Sequence, residues 1–278
     1  MFKRIAFVII GSVLLGNLFA SETKFDQFNR LISYPGKIEM TCPKQSKDTA
    51  VLLVIGQSNG ANHAEKKFST RYPAKVFAYF QGKCYSAASP LLGASGLIGE
   101  FLTPLADKLI ANGDFDSVVI IPSSIGGTAI ARWQKGGDLN QMLRTVLAES
   151  SAQFKPTGII WHQGESDFAE KTSAKDYKQR FNSLLASLRD KNKPSPPVFY
   201  AVATLCGHNP DWKPDNYLAV AQQSLANSQQ QIYLAADTDQ FSLIGDRDSS
   251  YCHLSEQGQL KTAAAFAAAI HQFYLKNK

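Results

Sequence analysis

VLLVIGQSNG, residues 51–60, joins five consecutive aliphatic side chains, Val51 to Ile55, to the small polar cluster Gly56 to Gly60. An unbroken aliphatic run of this length reads as a strand covered on both faces, as in a parallel sheet flanked by helices. The polar cluster then falls at the C-terminal edge of the sheet, where open α/β sheets place their ligands, and its glycines permit a sharp turn. A serine in that turn is placed to act as a nucleophile. The same cluster also reads as an ordinary turn in which Ser58 caps a following helix, so the remaining chain must decide.

Downstream, apolar runs alternate with helical patterns. Strands are expected at Val51–Ile55, Val76–Phe80, Ser117–Ile121, Thr157–Trp161, Pro197–Ala203 and Ile232–Ala235. Helices are expected at Gly99–Ala111, Leu139–Gln153, Ala174–Arg189, Asn216–Ser228 and Ser255–Tyr274. This alternation predicts a doubly wound parallel sheet with right-handed crossovers. Three further polar stretches, PSSIGGT, HQGESD and YCHLSEQG, then join the first at or near one edge of that sheet. The convergence of four clusters favours a reactive Ser58 over a helix cap.

The chain opens MFKRIAFVIIGSVLLGNLFA, with basic Lys3 and Arg4 before an apolar stretch and a small-residue end at Ala20. This is the pattern of a signal peptide over residues 1–20, which places a single domain, residues 21–278, in the periplasm or outside the cell. Without residues 1–20 the chain has 27 Lys and Arg against 23 Asp and Glu. A balance so mild, with scattered basic residues, excludes a nucleic-acid-binding surface of the usual kind. No later run approaches the roughly 20 apolar residues that span a bilayer, so no membrane insertion is expected after cleavage. Four cysteines in an oxidising compartment suggest two disulfides, and pairing within each half of the chain gives Cys42–Cys84 and Cys206–Cys252. The sequence has no Cys-x-x-Cys and no His-Glu-x-x-His, so no metal or other cofactor is expected.

A serine nucleophile needs a base for its proton and donors for the oxyanion it generates. His253, just before the last helix, is the natural base. The donors on offer are the N–H of Ser58, a backbone N–H of Gly126 or Gly127, and the side-chain amide of Gln163. Gly56-Gln57-Ser58-Asn59-Gly60 fits the Gly-x-Ser-x-Gly elbow of α/β-hydrolases, but there the elbow follows several strands, whereas here it follows the first clear one. His162 is the competing base. Alternation along an extended strand turns it away from Gln163, so a structural role is expected for it, and loop or surface roles for His63, His208 and His271. Trp133, Trp212 and Tyr251 are candidate sugar platforms.

GQSN at 56–59, GGT at 126–128, WHQGESD at 161–167 and CHLS at 252–255 together resemble the motif blocks of the sialate O-acetylesterase-like branch of the SGNH hydrolases. The resemblance implies a three-layer α/β/α, flavodoxin-like domain that removes O-acetyl groups from carbohydrates without a metal. It makes Ser58 the nucleophile and His253 the base, with Ser58, Gly127 and Gln163 forming the oxyanion hole. Substrate contacts are expected from Asn59, Arg132 and Glu165, and Arg132 is also a candidate to link Glu165 with Asp167. The family usually has an Asp three residues before the histidine, but Ser250 stands there in this chain. The imidazole proton is therefore expected to go to a backbone carbonyl near Ser250 or Tyr251, leaving a Ser-His dyad, with Asp248 as the next candidate for the third catalytic residue and Asp246 after it. The partner expected is an acetylated saccharide. An acyltransferase using the same serine and a carbohydrate-binding protein without catalysis are the alternatives.

Overall fold

A computed structural model describes residues 22–189, 195–242 and 245–276. The expected signal peptide therefore lies outside the described residues. Among the described residues ten strands appear: β1 Lys24–Phe25, β2 Leu31–Ser33, β3 Glu39–Met40, β4 Thr49–Gly56, β5 Val76–Phe80, β6 Lys83–Ser86, β7 Ser117–Pro122, β8 Gly158–His162, β9 Val198–Val202 and β10 Ile232–Asp237. The α-helices are α1 Leu102–Ala111, α2 Asp138–Ser150, α3 Glu165–Ala169, α4 Ala174–Arg189, α5 Tyr217–Gln223 and α6 Glu256–Lys276.

The main sheet has the order β10-β9-β8-β4-β7-β5-β6-β3, while β1 and β2 form a separate antiparallel pair. From β10 to β5 every pairing is parallel, and β6 and β3 add an antiparallel edge. The parallel sheet expected from the helix–strand alternation is present as the six strands from β10 to β5, and β6 and β3 extend it at one edge. The cause is local: Gln81 and Gly82 both have positive φ, 47° and 79°, as a tight hairpin turn demands, so β6 folds straight back on β5 without a crossover.

All eight residues of β4 are buried. Val51, Leu53 and Ile55 face a core shared with Trp133, Leu143, Phe181 and Leu184, under α2 and α4. Ala50, Leu52 and Val54 face a second core with Phe101, Leu105, Phe266 and Ile270, under α1 and α6. The continuous aliphatic run is thus explained by two covered faces, and each buried Val, Leu or Ile contributes about 1.5–3 kcal/mol. The chain leaves β4 to build β5 and β7 on one side, then β8, β9 and β10 on the other. β4 is therefore where the strand order reverses, the position at which open α/β sheets form their crevice.

Both expected disulfides are present, Cys42–Cys84 against the antiparallel edge and Cys206–Cys252 at the C-terminal end of the parallel strands. Among the described residues no helix is long and apolar enough to cross a membrane. Nor do three His, Cys, Asp or Glu side chains among them come together as a metal site.

Candidate active site

β4 ends at Gly56, whose φ is +127°, and a Cβ there would lie 2.1 Å from the carbonyl oxygen of His162 on β8. Only glycine allows the two strands this close. The Gln57 N–H then donates to that same oxygen at 2.8 Å, turning the chain into a single 3₁₀ turn, Ser58–Gly60. Ser58 lies inside the turn rather than capping a helix, and no side chain caps this turn. Its hydroxyl has no hydrogen-bond partner among the described residues.

The segment after β7 continues alongside this turn. Ser123 N–H donates to Val54 O at 2.8 Å and Ile125 N–H to Gly56 O at 2.9 Å, which runs the chain leading to Gly126 and Gly127 alongside the end of β4. The Gly126 N–H is taken by Ser95 Oγ at 2.8 Å. The N–H of Gly127 has no such partner, its φ is +66°, and the residue is exposed.

Gln163 is fully buried. Its amide nitrogen donates to Thr128 O at 3.0 Å and to Asp167 Oδ2 at 2.5 Å, with Gln57 Oε1 at 3.3 Å. Tyr177 Oη lies 3.1 Å from its amide oxygen. Both amide protons therefore point into the protein, and Gln163 reaches an oxyanion only by exchanging one of these bonds. Asp167 Oδ2 also accepts the Ile130 N–H at 2.7 Å, so this pair ties the Gly126-Gly127 loop to α3.

His253 sits in the loop before α6, with its side chain 26% exposed. Its Nδ1 is 3.7 Å from Asp248 Oδ2, an ion-pair contact just beyond hydrogen-bond length. Asp248 Oδ1 accepts both the N–H of Ser250, at 3.0 Å, and the Ser250 hydroxyl. The serine that occupies the family's aspartate position thus orients the aspartate beside the histidine. Asp246 is committed elsewhere, with its oxygens 2.8 and 3.0 Å from Lys261 Nζ. Burial lowers the His253 pKa below its ordinary value, with Asp248 pulling upward and Arg247 further downward.

The Ser58 turn and the His253 loop are joined through Asn59. Its oxygen accepts the Leu254 N–H at 2.8 Å, and its Nδ2 donates to Cys252 O at 3.3 Å, so one side chain grips the backbone on both sides of His253. Arg247, itself buried, donates to Cys252 O at 2.8 Å, Thr238 O at 2.6 Å and Phe241 O at 3.1 Å. No hydrogen bond joins Ser58 Oγ to the His253 ring.

Several expectations about neighbouring residues need correction. Arg132 pairs with Asp138 at 2.6 Å on the surface and touches neither Glu165 nor Asp167. Trp133 is fully buried against Trp161, which rules it out as a sugar platform in this structure. Asn59 and Glu165 are also buried, and they are bonded to each other at 3.2 Å. Burial pushes the Glu165 pKa up to about 7 and that of His162 down to about 3. His162 is enclosed behind the site: Thr238 Oγ1 donates to Val202 O at 2.8 Å, so the 3.3 Å contact with His162 Nε2 has the imidazole as donor. His208 packs on Tyr251 at 4.1 Å between ring centres, and His271 pairs with Asp114.

Two contributors carried no local signal in the sequence: His63, which stacks on His253, and Arg247. Asp248 was a candidate from the sequence, but the bond that Ser250 donates to it was not.

The strand-end turn that carries Ser58, the exposed Gly127 and the loop-borne His253 beside Asp248 are thus set on one α/β sheet. Residues 48–272 match the family model described as carbohydrate esterase, sialic acid-specific acetylesterase, and the chain belongs to that family. A probable carbohydrate esterase from Arabidopsis thaliana is 34% identical over 87 residues, a match that takes in 30% of this chain and 34% of that protein. The chain thus matches about a third of the length of that curated relative. Among solved structures, an Arabidopsis thaliana protein is 18% identical, with TM-score 0.60 and coverage of 84% of this chain and 99% of that one. A carbohydrate acetylesterase from Xanthomonas citri is 16% identical, with TM-score 0.55 and coverage of 82% and 57%. At these identities the two structures speak for the fold.

Proposed function

We propose that this protein is an exported serine esterase that removes O-acetyl groups from a carbohydrate. The observation that carries the proposal is the Asn59 clamp, which locks the residue after Ser58 to the residues on both sides of His253. In the proposed reaction Ser58 Oγ attacks the acetyl carbonyl while His253 Nε2 takes its proton. The tetrahedral oxyanion accepts hydrogen bonds from the N–H groups of Ser58 and Gly127, a preorganised pair of the kind that lowers such barriers. His253 returns the proton to the departing sugar oxygen, leaving acetyl-Ser58. Water, deprotonated by His253, then releases acetate and restores the serine. Asp248 holds Nδ1 and stabilises the imidazolium.

Asn59, Glu165, Gln163 and Asp167 serve in this reading as braces for the two loops, since their polar groups are turned inward. Saccharide contacts then fall to groups at the rim, Arg132 among them. Two disulfides fit an oxidising compartment and, with residues 1–20 as signal peptide, support export.

The test is hydrolysis of p-nitrophenyl acetate by the mature protein beside Ser58→Ala, followed by acetate release from acetylated saccharides. Turnover by the wild type alone is expected. Activity retained in Ser58→Ala contradicts the proposal, and acetyl transfer between saccharides without free acetate replaces hydrolysis by transfer.

A further inference from the structure

His63 lies five residues after Ser58, and its N–H donates to Ser58 O at 3.3 Å, so it belongs to the nucleophile turn. Its ring fits a slot with glycine walls. A Cβ at Gly96 would stand 2.7 Å from His63 Cδ2, and a Cβ at Gly126 would stand 2.7 Å from Nε2. One face stacks on His253, with ring centres 5.7 Å apart and an interplanar angle of 24°. Nε2 is 3.1 Å from Ser95 Oγ, and that buried hydroxyl accepts the Gly126 N–H at 2.8 Å.

One imidazole therefore touches the base directly and the oxyanion loop through one hydroxyl. We propose that His63 is a positioning residue for the esterase reaction: it holds the His253 ring in place and, through Ser95, fixes the Gly126-Gly127 loop. The inference rests on the esterase reading of this site. A ring in this place must stay uncharged when His253 becomes imidazolium, because two stacked cations repel. Burial holds the His63 pKa down at about 4, which keeps it neutral through the range in which His253 works.

The experiment compares wild type with His63→Ala, His63→Phe, Ser95→Ala and the His63→Ala/Ser95→Ala double variant, using p-nitrophenyl acetate kinetics and ¹⁵N NMR titration of the histidine side chains. We expect His63→Ala to lower kcat roughly ten- to a hundredfold with KM within about twofold, the scale on which misplaced catalytic groups lose rate. His63→Phe, which keeps a stacked ring and loses the Ser95 bond, should recover part of that loss and resemble Ser95→Ala. The double variant should be no worse than about twofold below His63→Ala, because both groups act through one chain of contacts.

The charged and titratable groups facing His253 are Asp248 and Arg247 from its own loop and His63 from the nucleophile turn. Removing His63 admits water to the His253 ring and relieves the burial that lowers its pKa, so the His253 titration should move up toward the ordinary value of about 6.5. Overturning results are a folded His63→Ala with unchanged kcat and an unshifted His253 titration, or a rise in KM alone, which would make His63 a substrate contact. If the wild type hydrolyses no acetyl ester, the esterase reading fails by itself, and the His253 titration still decides whether His63 holds that ring.

Discussion

Ser58 stands at the end of a strand whose eight residues are all buried and which is paired on both sides, whereas His253 stands in a loop whose own ladder is the single bridge between Arg247 and Leu254. The first position is set by the sheet itself and by one glycine that lets two strands touch. The second is set by contacts from elsewhere in the chain: the Asn59 clamp, three carbonyl bonds from Arg247, and the Cys206–Cys252 disulfide. Backbone ladders set the strand end that carries Ser58. In the proposed mechanism the loop-borne His253 depends on each of its side-chain anchors, so it is where substitution away from the reacting atoms should cost most activity.

Asp248 gives the largest expected effect of this kind. Asp248→Asn removes the carboxylate beside Nδ1 and should lower kcat/KM about 10²- to 10⁴-fold, the upper figure being that of a fully buried triad aspartate. Steady-state kinetics across pH checks it and also fixes a sign. His253 acts as a base only when neutral, and burial lowers its pKa, so the acid limb of the wild-type profile should fall below the ordinary histidine value. Asp248 opposes that lowering, so its loss should move the limb further down in pH. An unchanged rate in Asp248→Asn, with Asp246→Ala impaired, would return the third role to Asp246.

The disulfides offer a sharper contrast at smaller scale. They lie 42 and 46 residues apart in sequence, and loops of that size predict similar stabilisation, about 4 kcal/mol each in the chain-entropy account. Cys42→Ser with Cys84→Ser should lower the melting temperature and leave kcat of the folded protein unchanged. Cys206→Ser with Cys252→Ser should lower both, with kcat falling about tenfold as the histidine loop loosens. Equal kcat in the two folded double variants would show that the loop does not need its staple.

The same contrast divides what was legible in the sequence. The strand runs, the helix 174–189 and the four polar clusters follow from periodicity and turn chemistry, and the structure places each on its expected element. Boundaries moved where side chains took over: α1 begins at Leu102 rather than Gly99 because the Glu100 carboxylate receives the N–H groups of Leu102 and Thr103. The hairpin β5–β6 was hidden because KCYS is short and partly exposed, although Gln81-Gly82 carried the turn signal. Within the site, the choice between Gly126 and Gly127 rested on Ser95, thirty-one residues from Gly126, and the stacking of His63 on His253 joins positions 190 residues apart. Such pairings arise from topology and leave no trace in a local pattern.

The most direct test of the nucleophile assignment is peptide mass mapping of the protein quenched during turnover of an acetylated substrate. The account predicts one added acetyl group on the peptide that carries Ser58, lost in Ser58→Ala together with acetate release. Acetate released at the wild-type rate by Ser58→Ala, or an acetyl group trapped only on another residue, would contradict it.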